Sequence, residues 1–183
     1  MKLIAVILAF FALIGFAHAQ NPAPSTMEPS GMDHAAHMKA EADTQRQAEV
    51  SRRGKDVMPF SLSATTHIFT RNAEGGVQRV VAKDASDTTQ VTLIRQHLQE
   101  IRQQFLKGDF SDPSHIHGQD MPGLAELTKA RPGQLDIAYQ EVEGGAQLIY
   151  TTTEPTLVVA LHKWFDAQLS DHGKDAIEEH QGH

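Results

Sequence analysis

The chain has 183 residues, a formal net charge of -7, eleven histidines and no cysteine. So acidic a balance removes the electrostatic case for binding nucleic acid or an anionic membrane surface. The missing cysteines rule out disulfides, thiolate metal sites, a thiol nucleophile and a lipid-modified N-terminal Cys.

Residues 1–19, MKLIAVILAFFALIGFAHA, combine one Lys, a long apolar run and the small-residue pattern Ala17-His18-Ala19 before Gln20. That is the layout of a cleaved secretory signal. It predicts a periplasmic or secreted chain starting at Gln20, with no membrane attachment after cleavage. The alternatives are an uncleaved anchor, since the apolar run is only slightly short of a span, and cleavage after Ala17, which frees the amine and imidazole of His18 to chelate copper. His18 is the only histidine in the signal, so the histidine abundance belongs to the mature chain. Residues 20–56 then carry Pro, Ser, Ala and charges with almost no large apolar side chain. Such a segment cannot bury enough surface to offset its ordering entropy, and it reads as a disordered leader with a transient helix near Ala35 to Val50.

The folded part is expected over residues 57–173, enough for one core. THIFTRNAEGGVQRVVAKD contains two β-rich runs joined at Glu74-Gly75-Gly76, and LDIAYQEVEGGAQLIYTTT repeats the arrangement at Glu143-Gly144-Gly145. Adjacent glycines between β-rich runs signal a hairpin, because Gly supplies the positive φ of a tight turn without steric cost. A helix follows each hairpin. The first is capped at Asp87 or a neighbouring Thr and carries Val91, Ile94, Leu98, Ile101 and Phe105 on one face. The second opens at Thr153-Glu154-Pro155 and runs to Gly173 with two competing stripes: Val158, His162, Phe165, Leu169, His172, or Leu157, Leu161, Trp164, Gln168. The predicted fold class is α+β: a duplicated ββα unit forming a four-stranded, mostly antiparallel sheet with two helices on one face. Residues 108–134 form a long central loop with a short helix at Leu124 to Ala130, and residues 174–183 a flexible tail. Ordered loops of that length more often serve function than connection alone.

Within that loop, HIHGQDMPG places His115 and His117 two residues apart. In extended backbone both imidazoles point the same way and can reach one ion, while Gly118 permits a close approach. Further ligands must come from His67, His97, His162 or His172. His67 shares a sheet face with Phe69, and only if that face receives the helices can His67 meet His97 or His162. His97 flanks the stripe of its helix. His162 has Asp166 one turn on, a carboxylate able to orient it. His172 lies about 15 Å along the helix from His162, too far to share an ion, and is placed to cap the C-terminus as a protonated imidazole.

A second constellation, Met27, Met32, His34, His37 and Met38, sits in the leader. Thioethers select copper(I), imidazole accepts either copper state, and a flexible segment can wrap an ion. Catalytic signatures are absent: no Gly-x-Ser-x-Gly, no His-Glu-x-x-His, no glycine-rich phosphate loop and no Cys-x-x-Cys-His haem attachment.

The string Thr65-Thr66-His67, His97-Leu98, Ile116-His117-Gly118 with Pro122-Gly123, His162 and Asp171-His172 resembles a group of small exported bacterial proteins that share this spacing over the folded domain. They are similar in habit to periplasmic proteins accompanying copper resistance. The resemblance implies that His67, His97, His117, His162 and His172 matter more than His115, His180 or His183. Together these readings predict a periplasmic metal-binding protein whose ion is copper, with zinc or haem as alternatives, acting in buffering or trafficking. Two other readings stand beside it: a non-catalytic module that binds another envelope protein through structural or pH-responsive histidines, and a small metal- or haem-dependent enzyme.

Overall fold

The computed structural model describes residues 31–179, and the signal-peptide reading of residues 1–19, Met27 and residues 180–183 lie outside them. Among the described residues no helix is long and apolar enough to cross a membrane.

Period-two runs give β1 (Thr65–Asn72) and β2 (Gly75–Ala82), then β3 (Asp136–Val142) and β4 (Gly145–Thr151), each pair an antiparallel hairpin. After the first hairpin comes helix α2 (Thr88–Phe105), whose start is fixed by Asp87 accepting from the Gln90 amide at 3.1 Å. The second is followed by helix α5 (Pro155–His172), with Pro in its first turn and Gly173 beyond its end. Strands β2 and β4 pair antiparallel and join the hairpins. His67 and Phe69, Gln78 and Val80, Leu148 and Tyr150 point to the face that α2 and α5 cover, and there they form the core.

The class is therefore α+β, and the sheet departs from the expected four antiparallel strands. It has five strands in the order β3-β4-β2-β1-β5, with β5 (Ala176–Glu178) parallel to β1. The expected tail instead turns through Gly173–Asp175 and adds this edge strand, tied down by Arg71, which binds Glu178 and also Asp166 at 2.9 Å. Helices α3 (Ser111–His117) and α4 (Leu124–Thr128) occupy the central segment, so the second half is not a plain copy of the first. At Gly123, with φ +81, an added Cβ would lie 2.1 Å from the Ala160 carbonyl oxygen, so only glycine lets this segment seat against α5.

The glycines of the first hairpin serve a different purpose from the one expected. The turn is Ala73-Glu74, and Gly75 and Gly76 are already in β2. A Cβ on Gly76 would sit 2.7 Å from the Phe165 ring, so the glycine lets α5 press onto the sheet.

The leader also differs from expectation. Residues from Gly31 to Val57 form helix α1, which packs on α5 and α3. Its Ala-, Lys-, Glu- and Arg-rich composition favours helix, and pairs such as Lys39–Asp43 and Glu49–Arg53 support it. Docking needs few apolar groups: Val50 is 1 % exposed, and Arg46 bonds across to Asp171.

Candidate functional site

Four histidines from four elements meet beneath α1. His67 comes from β1, His97 from α2, His117 from the last turn of α3 and His172 from the end of α5; all four are buried and line one hollow of about 40 Å³. A water needs roughly 10–15 Å³ on such a measure, so the space suits an ion with one or two small ligands. The His67 and His172 rings stack with centroids 4.7 Å apart and planes within 9°, while His117 stands edge-on to His172 at 5.1 Å. Phe60, just beyond α1, bridges to His97 at 5.5 Å and His67 at 6.0 Å.

Burial keeps most of these imidazoles uncharged. It pulls His67 down to about 4, helped by repulsion from His97 and His117, and it also lowers His97. His172 is lowered well below the usual range, again chiefly by burial. That is the reverse of the protonated helix cap expected for His172. An uncharged imidazole carries one free ring lone pair, and Nδ1 of His67 has no hydrogen-bond partner at all.

His117 is held by a relay absent from the sequence reading. Its Nδ1 lies 2.8 Å from Asp171 Oδ2, and Arg46 grips the same carboxylate from α1 at 2.7 and 2.9 Å while also donating to the His117 carbonyl oxygen. Burial pushes the Asp171 carboxyl up, but hydrogen bonds from His117 and Arg46 outweigh it and hold the group at about 2. An ionised carboxylate can only accept, so Nδ1 of His117 carries the proton and Nε2 is the nitrogen left for a ligand.

Other candidates lie elsewhere. His115 is exposed and faces Asp56 at 3.2 Å. The HIH pair ends a helix, where residues two apart diverge by about 200°, so only His117 points inward. His162 donates from Nε2 to the carbonyls of Asn72 and Gly75 at 3.1 and 2.9 Å, a structural role, and Asp166 is engaged by Arg71 rather than by His162. His34, His37 and Met38 lie exposed on the first turns of α1, with His37 beside Glu41 at 3.2 Å. They do not form the flexible wrap expected, and the Met32 side chain is outside the described residues.

Residues that sequence reasoning did not single out complete the wall: Met58, Gln78, Asp112, Trp164 and Gln168. Trp164 and Gln168 belong to the second α5 stripe, and one more step of four residues along it reaches His172. His172 also lines a separate hollow of about 280 Å³ with Gln47, Ser51, Asp171 and Lys174, so its ring stands between the buried space and this outer one. As they stand, no three or more His, Asp or Glu groups among the described residues are arranged to hold a metal ion. The parallel stack gives the reason: the in-plane lone pairs of His67 and His172 run side by side, and one ring must tilt for them to converge. No family model, curated protein or solved structure matches the chain.

Proposed function

We propose that the protein binds one transition-metal ion, copper foremost, in the hollow between His67, His97, His117 and His172, and buffers or passes it on outside the cytoplasm. The observation that carries this reading is the convergence of four buried histidines. A buried polar group without a partner costs about 1–3 kcal/mol, and a core free of function would be expected to fill such a site with Leu or Phe. Uncharged imidazoles are ligands without prior loss of a proton, and the Asp171–His117 bond is the kind of outer-shell contact that fixes a ligating ring. The Met58 thioether in the same wall favours copper over zinc, since soft sulfur suits copper(I).

Trp164 is the single tryptophan of the chain and lines the hollow, which gives a direct test. Copper(II) added to the full chain against a competing chelator should quench its fluorescence with an end point at one equivalent. H117A and H172A should remove that end point, whereas H34A/H37A should leave it. Quenching that is absent, or equal in all variants, overturns the reading.

A second reading, an envelope interaction module, draws on the uncovered sheet face, where Ile68, Val77 and Ile149 are partly exposed and Ile177 of the β5 edge is half exposed. Metal-independent binding of a partner, lost in I177D, is its expected signature.

A further inference from the structure

We propose that the same hollow holds a second ligand beside the ion: a small hydrogen-bond-accepting anion, of the class of hydroxide or azide, seated against Trp164, Gln168 and Gln78. This inference rests on the metal reading above. It starts from groups that reading leaves unused. Trp164 Nε1 and Gln168 Nε2 are buried with no hydrogen-bond partner, and both residues line the hollow. Gln78 lines it as well; its Oε1 accepts from the Tyr150 hydroxyl at 2.8 Å, so the amide nitrogen is what it has left to offer. Trp164, Gln168 and His172 follow one another at four-residue spacing on α5, so the donors run along the same helix face that ends at the imidazoles.

The hollow thus has two unlike walls. One is made of imidazoles with lone pairs, the other of N–H donors. When it is empty of metal, a water satisfies both, accepting from the donors and donating to the imidazoles. Once an ion takes the imidazole lone pairs, a water there has donors and a cation around it and no acceptor for its own protons. A ligand with lone pairs alone suits that surrounding: it completes the coordination of the ion and accepts from Trp164 and Gln168.

The experiment uses the full chain carrying H34A/H37A, loaded with one equivalent of copper(II), with azide as the probe. Azide is followed by its charge-transfer absorption on copper, and metal content is measured after desalting. Q168L and W164F should each weaken azide about tenfold or more, the loss of one hydrogen bond to a charged group, while retaining one copper. Unchanged azide affinity in both variants overturns the second ligand and leaves the metal reading intact. Loss of copper from both variants also overturns it, because the donors would then be serving the ion itself. A parent chain that takes up no copper fails the metal reading first, and this inference with it.

Discussion

The apo protein should be acid-sensitive in a window set by His67. Its pKa falls from 6.5 to about 4 on folding, so between those values the unfolded chain binds the proton that the folded chain refuses. Stability is therefore fully present above pH 6.5 and is lost as pH drops toward 4. For this one group linkage gives about 2 kcal/mol lost at pH 5 and about 3 kcal/mol at pH 4. His97 and His172 shift in the same direction and add to the loss, while Asp171, held at about 2, contributes stability that begins to go only below the usual carboxylate range. Urea unfolding of metal-free protein at pH 7, 6, 5 and 4, beside H67L, separates the contribution of His67. H67L removes the titrating ring and its unpartnered Nδ1 together, so it should match or exceed the parent at pH 7 and lose about 2 kcal/mol less by pH 5. Parallel curves for the two proteins would refute the argument that burial holds His67 uncharged.

Asp171→Asn exchanges an acceptor-only carboxylate for an amide, breaking the hold on His117 and the tie from Arg46. It should lower copper affinity about 10- to 100-fold in a chelator competition and destabilise the fold by about 3 kcal/mol in urea. His162→Ala should leave copper binding unchanged and cost about 1 kcal/mol for the lost donor to Asn72 and Gly75, and His115→Ala should change neither. Gly123→Ala, at a positive φ with the Ala160 carbonyl in the way, should lower stability by roughly 3 kcal/mol or more, visible as a drop in Tm by circular dichroism.

Strands β1 to β4 and helices α2 and α5 were legible because each repeats its burial pattern over several periods: Val91 to Phe105 for the helix, alternation through His67 and Phe69 for the strand. Shorter signals failed. Strand β5 is three residues and shows no alternation, and α1 docks through Val50 and an arginine, so its apolar content looked too thin for order. Helix α3 was hidden by Pro113, which a first turn tolerates, and by the Gly118 that ends it. The same error misdirected the site, since treating HIH as extended put His115 beside His117. What the sequence could not carry was the convergence itself. Neighbouring helix positions diverge by about 100°, so Asp171 reaches His117 across the fold while His172 turns to His67.

Because its candidate ligands lie on β1, α2, α3 and α5, the hollow exists only when the whole chain is assembled. An ion captured there would knot together segments far apart in sequence, in a protein with no cysteine to form any covalent tie. Cargo and rivet would then be one object: every rise in free metal tightens the fold by mass action, and every release loosens it. A carrier built this way hardens against unfolding while loaded and becomes vulnerable once it has delivered.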